Sequence, residues 1–263
     1  MRRHARRLAA PLAVAAAALV GCSDFGVDPD AVAALDFTGI PFPAVVTGDT
    51  MRDSLGNAAP LRATVYDGRG DEIAGAAVAF VTLDTGVTIS PDGFLRATRR
   101  DGTIRLIASF GGLQSQLRNV AVARVPDSVA TGTTTVSYQY RLPDASSNVS
   151  PALSFALKSA DTLGGLSPNV TGWLVRWRVI HNGDTLATTD TSKVALWAPS
   201  GSRHTLRDTT KADGSTSRRL RIYANVLPVQ ADSFIVIAEV KYRGAHVTGS
   251  PVRFVVNITP PTL

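Results

Sequence analysis

Leu61-Arg62-Ala63-Thr64-Val65-Tyr66-Asp67-Gly68 is the stretch that decides the fold. Leu61, Ala63 and Val65 alternate with Arg62, Thr64 and Tyr66, and side chains of an extended chain point to opposite faces in turn. A period of two therefore describes a strand with one face buried, and Asp67-Gly68 supplies the turn that ends it. Ile104, Leu106 and Ala108 repeat the pattern around Arg105, just after Asp101-Gly102. Further turns fall at Asp92-Gly93, Asn182-Gly183 and Asp213-Gly214. Short alternating runs separated by such turns predict an all-β sandwich.

Composition agrees. Among 263 residues there are only two Glu (Glu72 and Glu239) and four Lys, against 26 Thr and 20 Ser. Residues that favour helices at surface positions are scarce. No helical periodicity appears after residue 22. A hydrophobic content of 44% with 22 Gly and 15 Pro excludes a disordered or collagen-like chain, and a single Cys excludes a disulfide framework or a four-Cys zinc site.

Net charge is +6, with 27 Lys and Arg against 21 Asp and Glu. Arg2, Arg3, Arg6 and Arg7 account for four of those charges and precede an apolar run from Leu8 to Val20. A basic start followed by an apolar run is the pattern of a secretion signal. That run is 13 residues, short of the ~20 a spanning helix needs. It ends in Leu19-Val20-Gly21-Cys22, which resembles the lipobox of bacterial lipoproteins. The resemblance implies cleavage between Gly21 and Cys22, a covalent lipid on Cys22 as the membrane anchor, and, with Ser23 next, the outer membrane.

Residues 22–32 then form a short lipidated tether, and the strand runs fall into two sets, 33–125 and 126–263, meeting near Pro126. Gly48-Asp49-Thr50, Leu61 to Asp67, Gly70, Gly75, Val78, Phe80, Asp92-Gly93 and Gly102-Thr103 together resemble bacterial Ig-like domains of the invasin and intimin type. The second set looks like a diverged copy, with Val175 and Trp177 on a buried strand, Asp213-Gly214 before Leu220, and Gly249-Ser250-Pro251-Val252 opening the last strand. The resemblance implies two tandem sandwiches. Such motifs specify a fold and carry no activity. The second set is long for this fold, and segments 142–170 and 198–217 are expected to hold the excess as loops.

Catalytic signatures are lacking: no Gly-x-Ser-x-Gly elbow, no His-Glu-x-x-His, no phosphate loop, and no metal pair among His181, His204 and His246. The expectation is a protein without catalytic activity, metal or cofactor. Arg69-Gly70-Asp71 spells an adhesion tripeptide, but a hairpin turn demands the same residues.

The charge divides unevenly, with residues 22–125 at −3 and residues 126–263 at +5. On the strand from Trp173 to Ile180, the face carrying Trp173, Val175, Trp177 and Val179 is expected inside and Arg176 and Arg178 outside. Lys241 and Arg253 are expected on the same outer face, because the third, sixth and seventh strands of such a sandwich share a sheet. These four charges either keep a sheet face soluble or dock an anionic envelope or surface polysaccharide, lipid headgroups or an acidic protein. Without exposed aromatics they suit nucleic acid poorly. The sequence therefore describes a lipid-anchored, non-catalytic binding, adhesion or spacer module. The alternative is a carbohydrate-binding or substrate-capture component of an envelope enzyme or transport system.

Overall fold

The computed structural model describes residues 30–141, 148–161, 169–186, 194–198, 206–223 and 230–261. The leader, Gly21, Cys22 and His204 lie outside them. Every regular element among the described residues is a strand.

The first nine strands are β1 (Val32–Gly39), β2 (Ala44–Val46), β3 (Arg62–Asp67), β4 (Ala79–Thr82), β5 (Val87–Ile89), β6 (Leu95–Ala97), β7 (Thr103–Phe110), β8 (Leu113–Gln114) and β9 (Arg118–Ala123). One sheet runs β2-β9-β7-β4, with β8 hairpinned onto β7, and faces the pairs β1-β3 and β5-β6. Phe37, Met51, Leu61, Val65, Leu95, Ile104, Leu106 and Val120 fill the space between. The alternation read in β3 and β7 thus places its apolar members inside.

The remaining strands are β10 (Ser128–Thr131), β11 (Thr135–Gln139), β12 (Leu153–Lys158), β13 (Leu174–His181), β14 (Asp184–Leu186), β15 (Val194–Trp197), β16 (Arg207–Thr209), β17 (Ser215–Ile222), β18 (Asp232–Glu239), β19 (Lys241–Tyr242), β20 (Ala245–His246) and β21 (Val252–Thr259). They form one sheet in the order β10-β12-β17-β15 and a second in the order β11-β21-β18-β13-β14, with β16 also on β13. β11 lies parallel to β21 and the other neighbours are antiparallel. Counting strands by their roles, this is the A-B-E-D and C-F-G division of an immunoglobulin-type sandwich. Both halves of the chain are therefore sandwiches of Ig-like design.

Trp173, Val175, Trp177 and Val179 are all buried, as expected of β13. Trp177 stacks on Phe254 at 6.1 Å between centroids and meets Phe155 at 5.9 Å. The expectation of loops at 142–170 and 198–217 needs correction among the described residues, while 142–147, 162–168 and 199–205 lie outside them. β12 occupies the middle of the first segment, and Leu153, Phe155 and Leu157 are core residues, Phe155 only 3% exposed. β16 and the start of β17 occupy the second. The alternation of Leu153, Phe155 and Leu157 in β12 matches that of Leu61, Ala63 and Val65, so the strand signal is present in the sequence.

β17 breaks the binary pattern once. Its inward positions are Thr216, Arg218, Leu220 and Ile222, so an arginine faces the core at 2% exposure. The Arg218 guanidinium crosses the sandwich to Asp208 on β16, 2.5 Å away, and donates a second bond to the Ser217 carbonyl at 2.9 Å. Thr216 donates its hydroxyl to the same carboxylate oxygen at 2.8 Å. Arg218 also lies 6.0 Å over the Trp177 ring. A charge so placed is tolerated because a half-buried carboxylate and a backbone carbonyl accept from its Nη1, although its Nε has no acceptor among the described residues.

Candidate functional site

Cross-strand register decides what the predicted basic face looks like. Arg176 pairs across β18 with Glu239 and across β16 with Arg207. Arg178 lies opposite Ile237, which lies opposite Arg253. Arg176, Arg178 and Arg253 thus share the outer face of the sheet, in two adjacent rows. With strands ~4.8 Å apart, Arg178 and Arg253 stand about 10 Å from each other across the isoleucine. Arg207 extends the first row, a residue the sequence reading missed because β16 lies in a segment expected to be a loop.

Lys241 joins this face through Glu239. Its Nζ is 3.2 Å from Glu239 Oε1, and His246 Nε2 is 2.7 Å from the same oxygen. Burial pushes the Glu239 carboxyl up, but the hydrogen bonds from His246 and Lys241 outweigh it and hold the group below its ordinary value. The four predicted cations are therefore not equivalent. Arg176 and Lys241 flank a carboxylate, whereas Arg178 and Arg253 face each other across an apolar residue.

A second constellation lies where the two sandwiches meet. Alternation along β2 points Val45 into the first core and Ala44 and Val46 toward the second. Phe42 packs on Trp173 at 4.8 Å, and Trp173 meets Tyr242 edge-on at 5.9 Å while its indole N–H donates to the Lys241 carbonyl at 3.1 Å. The chain approaches itself so closely here that only glycine fits. A Cβ on Gly172 would sit 2.3 Å from the Ala121 side chain, and one on Gly56 would sit 2.3 Å from the Arg243 backbone. Asp49 then ties the joint: it accepts hydrogen bonds from Arg52 at 3.0 and 3.1 Å and from Arg243 at 2.9 and 3.3 Å. Burial raises the Asp49 carboxyl, but bonds from Arg52, Arg243 and the Thr50 N–H overcome this and hold it well below the usual carboxylate range. Asp49 and Arg243 are 194 positions apart, so nothing local announces the pair.

Other candidates resolve into structure. Asp67 Oδ1 accepts the N–H groups of Arg69 and Asp71 at 2.9 Å each, so the Arg69-Gly70-Asp71 stretch is an Asp-stabilised turn after β3. His181 closes the β13–β14 hairpin opposite Asp184, but its ring stacks on Phe234 at 4.2 Å and its Nε2 bonds Asp232 at 2.8 Å. Among the described residues, no three His, Cys, Asp or Glu side chains converge as metal ligands would.

Fold and surface together define an all-β chain of two Ig-like sandwiches joined at a packed, ion-paired interface, with its distinctive chemistry on sheet faces. No known protein family and no curated protein matches the sequence. Among solved structures, it is similar to the adhesin InvE of Yersinia pseudotuberculosis, at 15% identity over 76% of this chain and 53% of that one, with a TM-score of 0.31. The Escherichia coli adhesin FdeC is similar at 16% identity over 86% of this chain and 66% of that one, TM-score 0.29. Zebrafish RET cadherin-like domains 1 to 4 give 11% identity over 84% and 48%, TM-score 0.32. The chain spans about half the length of the InvE structure. At such identities and scores, the activities of these proteins do not transfer.

Proposed function

We propose that this chain is a lipid-anchored cell-envelope module that binds an anionic envelope polysaccharide without catalysis. Residues 1–21 are a signal peptide, Cys22 carries the lipid that holds the protein at the outer membrane, residues 22–32 are a tether, and 33–125 and 126–263 are the two domains. The observation that carries the binding reading is the outer face of the β11-β21-β18-β13-β14 sheet. Arg178 and Arg253 flank Ile237 there, with Arg176 in the next row. Guanidinium groups on a firm sheet offer carboxylate or sulfate oxygens paired donors at fixed spacing. Glu239 limits the contribution of Lys241. The ion-paired joint supports the module by holding the second sandwich at a set orientation beyond the first.

Two experiments test this. Cys22→Ser should move the protein from the membrane fraction to the soluble envelope fraction, and its retention in membranes would overturn the anchor. Reversing Arg176, Arg178, Lys241 and Arg253 to Glu should weaken binding to an anionic polysaccharide such as polygalacturonate at least tenfold, and steepen the loss further at low salt where charge is least screened. Unchanged binding would overturn the role of this face.

A further inference from the structure

The opposite sheet of the second sandwich carries a second constellation that none of the sequence motifs announced. At one end of the outer face of β10-β12-β17-β15, the Arg221 guanidinium lies 4.2 Å from the centroid of the Trp197 ring and 5.0 Å from that of Tyr223. Arg219 lies directly opposite Trp197 in the β15–β17 register. All four side chains are half-buried. Two aromatic rings thus grip one guanidinium, with a second guanidinium beside it.

Two features separate this cluster from ordinary surface charge. First, among the described residues no carboxylate answers it: β10, β12, β15 and β17 contain no Asp or Glu, and neither the Arg219 nor the Arg221 guanidinium forms an ion pair or donates a hydrogen bond there. Some other guanidiniums of this protein are matched, as Arg218 is by Asp208 and Arg105 by Asp84. Second, of six side-chain polar atoms among the described residues that are shielded from solvent and lack a hydrogen-bond partner, three, Trp197 Nε1, Arg219 Nε and Arg221 Nε, belong to this cluster. Shielded donors without partners are uncommon in folded proteins, and here three of them fall in one place.

We propose that Trp197, Arg219, Arg221 and Tyr223 form a subsite for an acidic sugar unit, a ring bearing carboxylate or sulfate, within a polysaccharide. The two guanidiniums take the anionic oxygens in the paired geometry that Arg favours. The aromatic rings offer flat apolar surface to the C–H face of the sugar, and by stacking on Arg221 they restrict its motion before a ligand arrives, which lowers the ordering cost of binding. Single-stranded nucleic acid shares the anionic and planar chemistry but fits less well. It needs cations tracking a backbone over several units, whereas the outward positions beyond Arg219 on β17 are Ser217 and Ser215, with Ser154 beside them on β12. This inference rests on the reading of the chain as a binding module but not on the Arg178–Arg253 face.

The test uses the purified full chain, with polygalacturonate, dextran sulfate, neutral dextran and a single-stranded oligodeoxynucleotide as probes in affinity electrophoresis. Wild type should be retarded by the two acidic polysaccharides and not by neutral dextran. Arg219→Gln with Arg221→Gln should weaken that retardation about tenfold, the loss of one bidentate anion contact. Trp197→Ala should weaken it similarly. Arg221→Lys should fail to restore it, because an ammonium neither stacks nor forks. Arg178→Glu with Arg253→Glu, on the far sheet, should lower retardation through its own face, and adding Arg219→Gln and Arg221→Gln to it should lower retardation about tenfold further. Full retention in the Arg219→Gln/Arg221→Gln variant, full activity in Arg221→Lys, or preference for the oligonucleotide would each overturn the proposal. Loss only in the Arg178→Glu/Arg253→Glu variant would overturn it while supporting the other face. Should Trp197→Ala fail to fold, the arginine variants decide the matter.

Discussion

Replacing Asp208 with alanine strands a charge inside the second sandwich. Arg218 is 2% exposed and its guanidinium reaches Asp208 Oδ2 at 2.5 Å, an oxygen that also accepts the Thr216 hydroxyl. Removing one partner of a buried pair costs about 3–5 kcal/mol. The Asp208 side chain is 27% exposed, and Arg218 keeps its bond to the Ser217 carbonyl, so the lower end of that range applies, about 3 kcal/mol. For a sandwich of this size, each kcal/mol moves the melting midpoint by about 4 °C, which gives a fall of about 12 °C. Arg218→Met removes the charge but keeps an unbranched chain against Trp177, and leaves Asp208 to water. It should cost no more than about 1 kcal/mol, because an apolar replacement needs no partner. Urea unfolding followed by Trp fluorescence, with calorimetry alongside, measures both. The midpoint should fall in Asp208→Ala with an unchanged slope, and added salt should change little, since a buried pair is weakly screened. If Arg218→Met proves as damaging as Asp208→Ala, Arg218 acts through packing and the reasoning fails.

Two further outcomes follow from the core and the joint. Trp177→Ala should destabilise the second sandwich by about 3–5 kcal/mol, measured by the same unfolding, because the ring is 2% exposed between Phe155 and Phe254 and its loss leaves a cavity; a cost under 1 kcal/mol would mean the core closes over it. Asp49 is held below its ordinary pKa in the folded state, so its contribution is present above the unfolded carboxylate value of about 4 and is lost as pH falls from there toward the depressed folded value. Acidification below about pH 4 should therefore weaken the joint in wild type, seen as loss of fixed orientation in small-angle scattering, while Asp49→Asn should show the weakened joint already at neutral pH; an Asp49→Asn protein as rigid as wild type at pH 7 would assign the joint to Phe42 and Trp173 alone.

The strands were legible in the sequence wherever alternation ran long enough. β3 with the preceding Leu61, β7 and β13 each show three or four apolar residues at every second position, and every one of those positions is buried or half-buried. β12 is as long as β3 and alternates as clearly, and was obscured only by the polar residues around it. The placement of Arg176, Arg178 and Arg253 outside followed from the same parity. What parity could not say was that Glu239 would stand opposite Arg176, or that Arg207 would extend the row, because both depend on which distant strands pair and in which register.

By itself, then, the sequence determined the all-β class and the inward and outward face of the long strands. Tertiary structure alone decided the ion-paired joint between Asp49 and Arg243, the buried crossing of Arg218 to Asp208, and the Trp197–Arg221–Tyr223 stack. The division has a physical cause. Which face of a strand a side chain takes is a property of neighbouring residues on one extended chain. Which partner it meets there is a property of strand pairing and sheet packing, and those contacts join residues that the chain keeps far apart.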